Sequence, residues 1–388
     1  VPAADVRPLE PDDLHAAWRL GKEAFAGRAA EPPRWALEPA PGLTRWGAFD
    51  ARGRLVGKAV DLHQERWWGG RAVRAADVGG VAVAPEARGQ GVGRALLTAL
   101  LAGARERGVA TSALFPTTAG PYRALGWEVA GDLTTLDLPT ADLPVLAPRT
   151  TLRGGTEEDL PAAQDAYAAG ARATDGLLTA FAPRGAALDD ADGLTLVEDA
   201  GRVVAWALWS REGGYGPGGV LAVQDLAAAT PAGADGLVAL LRGWASVAPT
   251  VRLRAVPGGP LAARLPVERA RVHERETWML RAVDLVRAVE DRGWPTAVAG
   301  RLVLRVEDPA APWNTGTWEL AVEGGRGALR PTDAPPAAAL GPRALALLLS
   351  GSASGAAVAL AGLADVGSDP SVLDLLAAGG PLRLLDSF

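Results

Sequence analysis

A chain of 388 residues with 48% apolar side chains is long enough for two or three domains, each with its own core. No uncharged apolar run is long enough to cross a bilayer, so a soluble globular protein with no membrane partner is expected. A net charge of −6 argues against a nucleic-acid partner and favours cationic small ones. The absence of cysteine removes disulfides, thiolate nucleophiles and cysteine-held zinc. The three histidines, His15, His63 and His273, are scattered, so neither a histidine metal site nor a Ser–His–Asp triad is expected, and no metal. Lys22 and Lys58 are the only lysines among many arginines.

The segment Val1–Arg7 has no secretion-signal pattern and the missing initiator Met reads as trimming, while the absence of cysteine is compatible with a cytoplasmic protein. Pro11-Asp12-Asp13 is a start signal for a helix over Leu14 to Phe25. Trp46 to Phe49 and Leu55 to Asp61 read as strands joined by the turn Asp50-Ala-Arg-Gly53. Asp77 to Ala84 is a short, apolar, β-branched strand stopped by Pro85. Arg88, Gly91 and Gly93 then form an Arg-x-x-Gly-x-Gly loop opening a helix, with Val92, Leu96, Leu97, Leu100, Leu101 and Ala104 on one face. A helix N-terminus offers free N–H groups and the positive end of a dipole, which suits a pyrophosphate. Glycines let the backbone approach such a group closely. The loop fits neither the Rossmann spacing nor a P-loop, which would end in Gly-Lys-Ser/Thr. Gly79-Gly80 suits a bulge in the preceding strand. Val109 to Leu114 is the next strand. Pro116 to Trp127 reads as a second short helix with Gly126 as its C-cap.

The Pro-rich stretch Leu138 to Arg149 is a linker, so the first unit covers residues 1–145. A partial repeat follows, since Phe49–Gly57 resembles Val197–Ala205. A strand at Val220 to Leu226, a helix at Ala234 to Ser246 and a strand at Val251 to Val256 repeat the order of the first unit. The stretch Ala229–Leu237 has no Arg-x-x-Gly-x-Gly, so residues 146–280 read as a degenerate copy kept for shape. Trp278 to Trp294 reads as strand then helix, capped by Gly293. Strands at Gly300–Val306, Gly316–Val322 and Gly327–Leu329 follow, then helices at Pro342–Ser350, Ser354–Leu360 and Pro370–Ala377. Residues 281–388 are therefore an α+β domain with no catalytic motif of its own.

With the strand Val81-Ala82-Val83 before it, the loop Arg88-Gly89-Gln90-Gly91-Val92-Gly93-Arg94 resembles the acetyl-CoA site of the GNAT acyltransferase superfamily. Gly120–Trp127 resembles a Tyr-x-x-Phe-Gly-Tyr helix, Gly176-Leu-Leu-Thr resembles a Gly-Leu-Leu-Arg segment, and the sequence closes on the aromatic Phe388. Together these resemble the enhanced intracellular survival (Eis) acetyltransferases over nearly the whole chain. The resemblance implies an α/β (α+β) fold: tandem GNAT folds followed by a sterol-carrier-protein-like domain. It implies acetyl-CoA as co-substrate, a small-molecule amine such as an aminoglycoside as acceptor, and a homo-hexamer. The loop amides would hold the pyrophosphate, with Thr117 beside the cofactor and the splayed strand pairing with the pantetheine arm.

Acetyl transfer needs a polarised thioester carbonyl, a deprotonated amine and a proton for the leaving thiolate. The amide of Val81 or Val83 can polarise the carbonyl. By the resemblance, Tyr122 is the general acid. Its pKa near ~10 lies above that of a thiol, about 8.5, so it keeps its proton until sulfur leaves. The alternative is a tyrosine packed between Leu114 and Leu125. No side-chain base is evident. The resemblance implies that the carboxylate of Phe388 fills that place, acting mainly by charge or through water because its pKa is near ~3.5. A solvated chain end is the alternative, against which the apolar run Pro381–Leu385 argues. Phe25, Trp35 and Trp46 line the acceptor pocket or are core, and Asp386 adds negative charge. Gly27 and Ser387 stand where the family carries further carboxylates, which weakens attraction for a polycation. Two other readings compete: a protein or peptide lysine acetyltransferase, and a non-catalytic acyl-CoA or lipid scaffold.

Overall fold

The computed structural model describes residues 5–180, 188 and 191–388. By internal contacts the chain forms two compact units. One holds the chain up to Gly131, Thr277–Leu382 and Phe388; the other holds Asp132–Glu276 and Arg383–Ser387.

The first unit opens with β1 (Asp5–Pro8), α1 (Leu14–Ala24), α2 (Arg34–Leu37), β2 (Leu43–Phe49), β3 (Leu55–Trp68) and β4 (Arg71–Val83). α3 (Val92–Glu106), β5 (Thr111–Leu114) and α4 (Gly120–Arg123) follow, and β6 (Glu128–Pro139) leads out. Asp13 fixes the start of α1, accepting from the Glu10 amide at 2.8 Å while ion-paired with Arg7 at 2.6 Å. The six apolar residues expected on one face of α3 are all buried. They pack with Trp46, Ala48, Val56 and Val78 of the sheet and with Trp127. β3 and β4 are longer than their apolar stretches, because their polar outer halves continue the antiparallel ladder to Trp68↔Arg71.

In the second unit come β7 (Thr151–Gly154), α5 (Leu160–Ala171), β8 (Gly193–Asp199), β9 (Arg202–Glu212), β10 (Val220–Ala228), α6 (Pro231–Arg242) and β11 (Thr250–Leu253). Its sheet runs β6-β11-β10-β9-β8-β7. Its core is built on Leu138, Val197, Ala205, Leu221, Leu237, Leu241 and Val251. The two units share a plan. β4 runs parallel to β5 and β10 parallel to β11, and each of β4 and β10 carries a bulge.

β12 (Arg271–Ala282) re-enters the first unit, where Met279–Ala282 pair antiparallel with β5. After α7 (Leu285–Glu290) come β13 (Gly300–Val306), β14 (Gly316–Glu323), β15 (Arg326–Pro331), β16 (Ala338–Leu340), α8 (Pro342–Leu349), α9 (Gly355–Leu360) and β17 (Ala364–Val366). They form a five-stranded sheet, β15-β14-β13-β16-β17. Its alternating inward residues Leu302, Leu304, Val306, Leu320 and Val322 are buried. Two expectations are corrected here. Gly293 is no helix cap: its amide bonds the Trp68 carbonyl at 3.0 Å, and an added Cβ would come within 2.0 Å of the Gly69 oxygen. Residues 370–375 form a 3₁₀ turn and not an α-helix; its buried Leu373 and, just beyond it, Leu376 sit three apart, matching three residues per turn.

Candidate active site

β4 and β5 pair in parallel only as far as Val78↔Leu114. Beyond that point β4 continues against β3, where one extra residue is inserted between the pairs Val60↔Gly79 and Lys58↔Ala82. Gly80 takes up this bulge with φ +57°, a conformation that a side chain disfavours. The sheet therefore splays, and the edge Val81–Val83 borders a cavity of about 790 Å³. Arg88, Gly89, Gly91, Val92, Gly93, Arg94, Thr117 and Tyr122 line the same cavity.

The loop has the geometry of an anion cradle. Gly91 is the N-cap of α3 in the left-handed region, at φ +83°, and no side chain caps the helix. Gly89 is also left-handed, at φ +74°, and a Cβ at either glycine would meet nothing within 4 Å. The first-turn amides have no partner inside the helix, and their residues Val92, Gly93 and Arg94 line this cavity together with Arg88. A pyrophosphate fits this charge and space. Gln90 is the expected cofactor residue that does not line the cavity; its side chain donates to the Glu86 carbonyl at 2.8 Å. In the second unit the matching helix start is closed, because Thr230 caps α6 by accepting from the Gly233 amide at 3.0 Å.

Tyr122 sits on α4, whose turn closes through Gly126 at φ +93°. Its ring is edge-on to Trp127 at 6.3 Å, and it lies half-buried in the cavity wall. Burial pushes the phenol above its usual pKa, so it stays protonated. Arg123, next in sequence, donates to Glu128 at 2.8 Å, and Arg343 of α8 donates to the same carboxylate at 2.6 Å. Burial works against the Glu128 carboxylate, but the bonds from Arg123, the Val129 amide and Arg343 outweigh it and hold its pKa below the usual range. From below, the buried Arg281 guanidinium bonds the Leu125 carbonyl. Arg123 thus ties α4 to Glu128, which Arg343 also holds, and Arg281 ties the turn that follows α4.

Phe388 belongs to the same unit. Its ring meets Phe115 edge-on at 5.1 Å and the Arg66 guanidinium at 5.8 Å. Its carboxyl carbon lies 3.5 Å from where a Cβ on Gly79 would stand, beside the bulge.

A second cavity of about 300 Å³ adjoins this edge, lined by Trp18, Phe25, Trp35, Arg45, Lys58, Val60 and Gly80 among others. Phe25 lines both cavities and is 53% exposed; Trp35 is 70% exposed. Trp46 is corrected to the core: it is 8% exposed and packs so tightly on α3 that a Cβ at Gly103 would come within 2.6 Å of it. Asp386 lies in the second unit, where its charge acts on Asp225. Sequence reasoning missed Arg45 and Lys58. The rarity of lysine was the one available signal for the latter.

Among the described residues, no group of three or more metal-ligating side chains converges, and no helix is long and apolar enough to cross a membrane.

Comparison with known proteins agrees with this geometry. Residues 5–130 and 182–288 each match a family model described as an acetyltransferase (GNAT) domain, and residues 285–380 match a sterol carrier protein domain. An uncharacterized N-acetyltransferase of Streptomyces coelicolor is 29% identical over 277 residues, a match covering 65% of this chain and 65% of that protein's length. The crystal structure of a GCN5-related N-acetyltransferase from Kribbella flavida is 29% identical, with a TM-score of 0.85 over 100% of this chain and 99% of that one. Eis1 from Mycobacterium abscessus shares the fold at 21% identity, with a TM-score of 0.79 over 99% of this chain and 100% of that one. The chain thus carries two acetyltransferase (GNAT) domains and a sterol carrier protein domain.

Proposed function

We propose that the first GNAT domain transfers the acetyl group of acetyl-CoA directly to a primary amine of a small molecule, both substrates being bound together, as an Eis-type enzyme. The observation that carries this reading is the splayed edge Val81–Val83, which shares one cavity with the open glycine loop and with Tyr122. In this reading the pyrophosphate rests on the Arg88–Arg94 loop and the pantetheine pairs along β4. The amide of Val81 or Val83 polarises the thioester carbonyl. Amine nitrogen attacks carbon, the carbon–sulfur bond breaks, and the sulfur takes the Tyr122 proton. The adjoining cavity of about 300 Å³ suits a small amine better than a protein segment.

The carboxyl of Phe388, beside Gly79, is the group we assign to drawing the proton from the attacking amine, by charge or through a water. A cytoplasmic homo-hexamer is the form that the Eis resemblance favours. The test is thiol release from acetyl-CoA against a panel of small primary amines and a lysine peptide, with acetylated products identified by mass. Amine-dependent release with the small amines is expected. Release with the peptide alone favours a protein acetyltransferase, and none at all favours a binding scaffold.

A further inference from the structure

The second cavity is cationic. Lys22, Arg45 and Lys58 line it, and among its described lining residues none is acidic. These include both lysines of a chain whose 39 basic residues are otherwise arginine. Lys22 rests on the Trp18 ring, 5.2 Å from its centroid. Arg45 is held in place by donating to the carbonyls of Glu38 at 2.7 Å and Trp35 at 2.9 Å. Lys58 is different. It is half-buried, yet among the described residues its ammonium makes no hydrogen bond and no ion pair. Room is made for its ammonium: a Cβ at Gly21, inside α1, would stand 2.7 Å from Nζ. Glycine within a helix is destabilising relative to alanine, so this space is kept at a cost.

A half-buried ammonium without a carboxylate is an arrangement that a bound anion completes. We propose that the acceptor amine carries an anionic group, received by Lys58 and Arg45 in the aromatic cavity beside Gly80. The inference rests on the acetyltransferase reading for the word acceptor, while the anion site stands on its own geometry. Burial first, and the neighbouring Arg45 second, push the Lys58 pKa below its ordinary value; the charge of a bound anion would act against that lowering. A polycationic amine would meet the like charges of Lys22, Arg45 and Lys58.

The experiment uses three probes of one shape: para-(aminomethyl)benzoate, its neutral benzamide and its phosphonate. Binding to the CoA-loaded protein is read by calorimetry, and transfer by thiol release. The expected result is benzoate or phosphonate binding roughly 10- to 100-fold tighter than benzamide, as for a charge-assisted hydrogen bond. The tighter of the two identifies the anion as carboxylate or phosphate. Lys58→Met should abolish the preference and Lys58→Arg retain much of it. Benzamide binding as well as both anions, or a diamine of the same shape binding better, overturns the inference with wild-type protein alone. Selective anion binding without thiol release from any probe would leave the anion site standing and count against the acetyltransferase reading.

Discussion

Arg281 and Asp308 tie the C-terminal segment to the helix that bears Tyr122, and breaking the pair is a sharp test of how the site is held. The two side chains are 0% and 1% exposed, joined at 2.8 and 2.9 Å. Asp308 also accepts from Asn314 at 3.2 Å and from the Ala311 amide at 3.1 Å. Burial lowers the Arg281 pKa, and Asp308 is what opposes that. Asp308→Asn leaves the guanidinium buried without its counter-charge, which costs about 3–5 kcal/mol. For a unit of this size that corresponds to a loss of about 6 to 20 °C in Tm. The exposed pair Arg301–Glu319 is the control, and Glu319→Gln should cost under about 1 kcal/mol. Urea unfolding followed by tryptophan fluorescence suits the assay, because Arg281 lies 5.4 Å from the buried Trp127 ring. The double variant Arg281→Met with Asp308→Leu should be more stable than Asp308→Asn, since an apolar pair carries no stranded charge. A cost for Asp308→Asn no greater than for Glu319→Gln would refute the reasoning.

Gly91→Asp puts a carboxylate where the pyrophosphate is expected. Two like charges about 4 Å apart cost roughly 4 kcal/mol in a half-shielded setting, so calorimetry should show at least a tenfold loss of acetyl-CoA affinity. A Gly-Ser extension after Phe388 turns its carboxylate into an amide, and should abolish transfer while circular dichroism stays unchanged; equal rates would make another group the base. Asp225 is pushed up to about 7, by burial first, with the Leu226 amide opposing, Asp386 raising it and Arg254 lowering it. The folded chain therefore binds this proton more tightly than the unfolded one, whose carboxyl titrates near ~3.9. Stability from this group is present below about pH 4 and is lost as pH rises to about 7. Asp225→Asn should flatten that decline in pH-dependent urea melts.

The glycine loop and α3 were legible because backbone geometry and amphipathic period both leave marks in sequence. Gly89 and Gly91 take left-handed φ values, and six apolar residues fall on one face. The bulge at Gly79-Gly80 was legible for the same reason. The polar ends of β3 and β4 were not, since their ladder is set by pairing and not by apolar pattern. β16 and β17, three residues each, are too short to show a period. Trp46 was ambiguous because an aromatic residue serves a core or a pocket equally well, and its packing on Gly103 decides for the core. Lys58 stood out in sequence only by the rarity of lysine, because its meaning lies in the missing partners of its ammonium, which only three dimensions reveal.

The central claim is that Tyr122 gives its proton to the departing thiolate in a cleft that binds acetyl-CoA without its help. The most direct measurement compares Tyr122→Phe with the wild-type chain: turnover with the best amine acceptor, and acetyl-CoA affinity by calorimetry. The account predicts that turnover falls by about 10² to 10⁴. It predicts unchanged acetyl-CoA affinity, and wild-type activity that does not fall through tyrosine ionisation below about pH 10. Wild-type turnover in the phenylalanine variant would contradict it.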